Sequence, residues 1–219
     1  MMKHFLLMIT CTIIALALTA CGQSGAALPN VEPEHPSATL NQPKMTGGRI
    51  ESSETAVQTE DDTMVLVAYF SRTGNTELVA QEIQAQIGGE LFEIVPEDPY
   101  PDEYNATVEH HRQEDAADAR PAISSFVTDM DSYDVIFVGY PIWGGDMPHV
   151  VRTFLEQYDF SDKTVIPFCT HGGSGLSRSV QTLKMLCPNS SILEGFAISG
   201  NSAANSLNEV GEWLDGLEF

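Results

Sequence analysis

Ser71-Arg72-Thr73-Gly74-Asn75-Thr76 gathers three hydroxyls, an amide and a glycine directly after an apolar run at 64–70. Those residue types in that order make an anion cradle. Hydroxyls and backbone N–H groups converge there, and a helix predicted at 75–86 sets the positive end of its dipole behind them. The chemistry suits a phosphate monoester, and Arg72 is the one formal charge nearby. A capped helix after a sharp turn would explain a single Ser or Thr, but not the dense Ser-x-Thr-Gly-x-Thr pattern. Two further loops carry comparable chemistry: Tyr140-Pro141-Ile142-Trp143-Gly144-Gly145-Asp146-Met147-Pro148 and Thr170-His171-Gly172-Gly173-Ser174-Gly175. Both are rich in residues that let backbone approach a ligand closely or adopt positive φ.

The elements that must position these loops alternate between strand and helix. Strands are predicted at 64–70, 90–95, 133–140, 163–169 and 192–198, and helices at 75–86, 102–119, 147–157, 176–186 and 203–217. Short apolar strands separated by helices imply a parallel sheet covered on both faces. Ligands of such sheets sit beyond the carboxyl ends of the strands, near the topological switch point. The three loops follow the first, third and fourth strands and would meet there.

Ser-Arg-Thr-Gly-Asn-Thr resembles the FMN phosphate loop of flavodoxins. Gly-Tyr-Pro-Ile-Trp-Gly-Gly-Asp-Met-Pro and Phe-Cys-Thr-His-Gly-Gly-Ser-Gly resemble the two loops that hold the isoalloxazine in flavodoxin-like proteins. The resemblance spans residues 64–219 and is closer to a bacterial branch of lipoproteins and small reductases than to the soluble carriers. It implies a flavodoxin-like three-layer α/β/α sandwich with a five-stranded parallel sheet in the order 2-1-3-4-5. With no evident insertion in strand five, the chain resembles the short-chain type, binding FMN noncovalently. The family's roles would put Ser71, Arg72, Thr73, Gly74, Asn75 and Thr76 around the phosphate. Pro141, Ile142, Trp143, Gly144 and Gly145 would follow one edge and face of the flavin. Thr170, His171, Gly172, Gly173 and Ser174 would turn backbone N–H groups to its pyrimidine edge.

Trp143 reads either as the ring that stacks on the flavin or as a core residue. At Gly144-Gly145 a peptide could flip to offer its C=O to the reduced ring. His171 either tunes the flavin or caps its own loop. The third loop lacks the aromatic that soluble carriers usually have, which leaves room for a small quinone-like acceptor.

Other candidates read more plainly. His110 and His111, with Glu109 and Glu114, are adjacent on a predicted helix and so face different ways, as on a solvated helix. Tyr100 and Tyr104 would fold over the pocket or pack on the sheet. Cys169 and Cys187 would be separated by a helix of about 15 Å, too far for a disulfide, and are expected as unpaired thiols.

With 31 Asp+Glu against 10 Lys+Arg and a net charge of −21, the chain is a poor candidate for binding nucleic acid or anionic lipid surfaces. The charge suits a basic protein partner, or a solvated acidic surface. Residues 1–20 read as a lipoprotein signal peptide: Lys3 precedes an apolar run of about 16 residues, short for a membrane span. Leu18-Thr19-Ala20-Cys21 resembles a lipobox, with lipid attached to Cys21. Residues 21–63 read as a disordered tether and 64–219 as the folded domain. The expectation is an extracytoplasmic redox protein, lipid-anchored to a bacterial membrane, that passes electrons to or from a protein partner. The alternatives are an FMN-dependent NAD(P)H or quinone oxidoreductase and a flavin-free binding lipoprotein.

Overall fold

β1 (Val65–Tyr69) is buried along its whole length and β3 (Val135–Pro141) along all but its last residue, as strands covered on both faces must be. A computed structural model describes residues 63–219. The signal segment, Cys21 and the tether up to residue 62 lie outside the described residues. β1 and β3 run parallel, with Val65 opposite Val135 and Tyr69 opposite Gly139. β2 (Glu90–Glu93) adds to the outer side of β1, and β4 (Thr164–His171) to the outer side of β3, both in parallel. The sheet closes with two short strands on β4, β5 (Ser191–Ile192) and β6 (Phe196–Ser199). The order β2-β1-β3-β4-β5 is the one expected, and the switch point lies between β1 and β3.

The fifth strand departs from expectation, because it is divided in two. Thr164 donates its N–H to Asp134 on the β3 side, whereas the Val165 carbonyl accepts from Leu193 on the other. That alternation turns Pro167 toward the edge, where it has no N–H to give. Beyond that last bond from Leu193, the chain passes the gap at 194–195 before β6 begins. A Cβ at Gly195 would stand 2.8 Å from both Pro167 Cγ and the Pro167 carbonyl oxygen, so only glycine lets the chain pass so closely.

Alternate residues of the strands feed two cores. On one face Val67, Phe137 and Ile166 pack against Val79 and Ile83 of α1 (Asn75–Ile87) and Val210 of α5 (Asn208–Leu214). On the other, Leu66, Ile136 and Val138 pack against Val150 and Phe154 of α3 (His149–Gln157) and Leu183 of α4 (Ser179–Leu186). α2 (Tyr104–Ala117) lies beside α3. α2 and α3 start two residues later than predicted, and α4 and α5 start later still. α4 starts only after Ser177, whose φ of 51° breaks the helical path. The last helix is preceded by a separate 3-10 turn, Ala203–Asn205, in a stretch rich in Ser and Asn that favours turns. Cys169 and Cys187 are buried and unpaired among the described residues, and burial pushes both thiols up to about 12.

Gly139 makes room for the ring of Phe168 on the neighbouring strand, since a Cβ there would lie 2.1 Å from Phe168 Cζ. Gly139→Ala is expected to destabilise the domain by about 1–3 kcal/mol in urea unfolding. Adding Phe168→Leu should return part of that loss, and strictly additive effects would contradict the contact.

Candidate functional site

The first loop leaves β1 and enters α1 through Gly74, whose φ of 83° is the left-handed conformation that glycine adopts without strain. No side chain among the described residues caps the start of α1, so its first amides face the loop without a side-chain acceptor there. Ser71 Oγ is buried without a hydrogen-bond partner among the described residues. Thr76, also buried, shares a 2.9 Å hydrogen bond with Thr170 and ties the start of α1 to the end of β4. Arg72 uses one guanidinium nitrogen on three acceptors: the carbonyls of Pro101 and Asp102 at 3.1 and 3.0 Å, and Thr107 Oγ1 at 3.1 Å. It therefore clamps the start of α2 beside the loop, besides lining the cleft.

The second loop is a tight hairpin. Trp143 and Asp146 exchange backbone hydrogen bonds of 2.9 and 3.0 Å, while Gly144 and Gly145 take φ of 58° and 84°, a type I′ turn. Trp143 packs against the core and also borders the cleft. Its ring meets Phe70 and Tyr100 edge-on at 5.6 and 4.9 Å. Asp146 anchors the hairpin from below. Its carboxylate accepts from Met147 N–H at 2.8 Å, Arg152 at 3.0 Å, Arg178 at 3.1 Å and Thr182 at 2.8 Å.

β4 runs two residues further than predicted, so Thr170 and His171 belong to the strand and only Gly172 onward is loop. Gly173 donates its N–H to His171 Nδ1 at 2.8 Å, which assigns the ring proton to Nε2. His171 thus caps its loop while also lining the cleft.

These pieces enclose a cleft of about 490 Å³ at the carboxyl end of the sheet. Of the sixteen residues expected at the site, Arg72, Thr73, Asn75, Pro141, Ile142, Trp143, Gly144, Thr170, His171 and Gly172 line it. Ser71, Gly74, Thr76, Gly145, Gly173 and Ser174 do not reach the lining, although Ser71, Gly74 and Thr76 shape the first loop beneath it.

The sequence reading missed the wall made by α2. Tyr104, Thr107, Val108, His111 and Arg112 all line the cleft, so the reading of that helix as solvated holds only for its outer face. Its inward residues Thr107, His111 and Glu114 are buried at helical spacing, and their polarity hid that face from a search for apolar periodicity. Gly200, after β6, also lines the cleft. Tyr100 is buried behind Trp143, and its hydroxyl donates to Glu114 at 3.2 Å.

The electrostatics of the cleft oppose those of the chain. Its lining carries Arg72, Arg112 and two histidines, and no carboxylate among the described residues. Burial, with His149 beside it, holds the His111 imidazole below its ordinary value. Burial also raises the Glu114 carboxyl, against the opposing hydrogen bond from Tyr100 and the His110 charge. The Tyr100 hydroxyl is pushed far up by burial and by the charge of Glu114. The cleft suits an anionic ligand with a flat apolar part, since its lining combines donors and cations with Trp143 and glycine backbone.

A profile of the family described as Flavodoxin matches residues 64–217. The chain belongs to the flavodoxin family. A flavodoxin from Haemophilus influenzae is 30% identical to this flavodoxin-family chain over 102 residues, 44% of each protein, so the alignment spans less than half of that relative. Among solved structures, a candidate flavoprotein from Bacteroides eggerthii is 34% identical, with a TM-score of 0.63, covering 72% of this chain and 100% of that one. One from Bacteroides uniformis is 32% identical, also with a TM-score of 0.63, covering 70% and 98%. A flavoprotein from Lactobacillus acidophilus, solved in complex with FMN, is 22% identical with a TM-score of 0.55, covering 67% and 99%; that likeness is one of fold.

The His111 shift has a testable sign. Its folded value lies below the unfolded one, so the stability carried by the neutral ring is present above about pH 6.5 and is lost as pH falls toward the folded value. Glu114 acts in the opposite sense, its contribution being present at low pH and lost as pH rises through its raised folded value. His111→Gln is therefore expected to lose less stability than the parent between pH 7 and pH 5, as read from urea midpoints. Equal losses would contradict the buried, neutral ring.

Proposed function

We propose that this flavodoxin-family chain binds FMN in the cleft and works as a redox protein. The observation that carries the reading is the first loop. A buried Ser71 hydroxyl without a partner among the described residues, an uncapped α1 and a left-handed Gly74 are what a phosphate monoester would complete. The FMN bound by the Lactobacillus acidophilus fold relative points the same way.

Bound there, FMN would supply one- and two-electron chemistry. The chain's own part is to bind, orient and shield. Ser71, Thr73, Asn75 and the amides of α1 would take the phosphate, and Arg72 would keep α2 closed against the same loop. Trp143 would offer an aromatic face, held by Phe70 and Tyr100 behind it. The Gly144-Gly145 turn would bring backbone close to the ring, and the strand end at Thr170 and His171 would flank its other edge.

Electron transfer with a protein partner, steered by the acidic surface, is the first reading of its role. A specific feature favours the second, reduction of a small quinone-like acceptor using NAD(P)H or another donor: Gly172, Gly173 and Ser174 are exposed and carry no ring over the cleft. We further propose that lipid on Cys21 tethers the protein to the outer side of a bacterial membrane, a reading supported by the lipobox-like sequence.

Titrating the full chain, in mild detergent, with FMN is expected to quench flavin fluorescence at submicromolar ligand. Ser71→Ala should weaken binding about tenfold, the worth of one hydrogen bond to a charged group. No binding at micromolar FMN would sink both redox readings and leave a flavin-free binding protein. In a bacterial host, Cys21→Ala should move the protein from the membrane to the soluble fraction; unchanged fractionation would remove the lipid anchor.

A further inference from the structure

Two buried imidazoles connect the cleft to the surface, and the reading of the cleft as a redox-cofactor site does not use them. His111 lines the cleft, and its Nε2 stands 2.7 Å from where a Cβ at Gly144 would lie. Its Nδ1 is buried and makes no hydrogen bond among the described residues. The ring of His149 lies 5.9 Å away, centroid to centroid. His149 is fully buried, and its Nδ1 donates to the Ala119 carbonyl at 2.9 Å, which fixes how the ring sits. Its Nε2, also buried and without a hydrogen bond among the described residues, lies 3.5 Å from Asp115 Oδ1. The Asp115 side chain is 52% exposed. Leaving two buried ring nitrogens without partners costs stability, and packing alone offers no return for it.

The geometry points to a proton path in which Asp115, His149 and His111 join solvent to the cleft, with His111 Nε2 as the delivering atom. The inference rests on the reading that the cleft holds a cofactor whose reduction takes up protons. A proton from water reaches the Asp115 carboxylate and passes to His149 Nε2. From there it moves to His111 Nδ1 through a buried water. His111 releases a different proton from Nε2 into the cleft and is left neutral, and a turn of the ring resets it. One proton enters and one leaves, and no electron travels along the path.

The surrounding charges are otherwise engaged. Arg152, from α3, is held by Asp146 at 3.0 Å and by Asp118 at 3.7 Å. Glu114 is held by Tyr100 at 3.2 Å and His110 at 3.3 Å. Asp115 is the carboxylate left to exchange protons with water on this side. Passing single electrons to a protein partner makes no demand for such a path. Reducing a quinone-like acceptor, which consumes two electrons and two protons, does.

Two measurements test the path. In the flavin-free full chain, NMR titration of the histidine rings should show a His111 titration that Asp115→Asn shifts. A His111 titration untouched by Asp115→Asn would overturn the proposal. In the FMN-loaded full chain, proton uptake after flash photoreduction can be followed with an indicator dye in weak buffer. It should slow at least tenfold in Asp115→Asn and in His111→Gln, with added imidazole restoring the Asp115→Asn rate. Unchanged rates, or a loss that imidazole does not restore, would overturn it. A chain that binds no FMN overturns the cofactor reading and removes the path's destination. FMN binding with uptake untouched overturns the path alone.

Discussion

A helix that begins without a side-chain cap presents amide donors and a positive dipole end to whatever lies before it, and α1 begins in this way at the carboxyl edge of the central strands. The other parts of the cleft are arranged around that start. Phe70 continues β1 by donating its N–H to the Gly139 carbonyl at 2.9 Å, so the loop leaves the sheet at the switch point. Thr76 joins the helix start to the end of β4 through Thr170. In a chain with 31 acidic residues, local donors rather than net charge would have to hold an anion at this place.

Two charge-assisted clamps turn this edge into a cleft. Arg72 ties the first loop to the segment before α2 and to Thr107 within it, which sets the outer wall. Asp146 gathers Arg152, Arg178 and Thr182 beneath the glycine hairpin and so fixes Trp143 above. Both clamps are charge-assisted, and the Asp146 side chain is 3% exposed, so the Asp146 cluster is not the loosely screened pair typical of a surface. The hydrophobic layers supply the platform, and these polar ties supply the shape.

β1, β3 and β4 were legible because strands buried on both faces read as unbroken apolar runs, and the loops were legible because glycine and hydroxyl residues cluster after them. α2 was only half legible. Its buried face is built of Thr107, His111 and Glu114, and a helix that docks through hydrogen bonds leaves no apolar stripe. Asp146 gave no local signal, since two of its side-chain partners lie 32 and 36 residues away. The divided fifth strand was hidden for another reason. Pro167 is plain in the sequence, but which side its missing N–H faces depends on the register with β3, which only the assembled sheet fixes.

That division bears on how copies of the domain meet one another. An open sheet ends in unpaired N–H and C=O groups that invite a foreign strand to add on. Here the β4 side ends in strands of two and four residues, interrupted at 193–195, so an incoming chain finds no continuous ladder. On the opposite side, Ser124 and Ser125 already bond to the carbonyls of Val95 and Glu93, at and just past the end of β2. Neither margin offers a long template, and crowded copies would have little means of zipping together through their sheets.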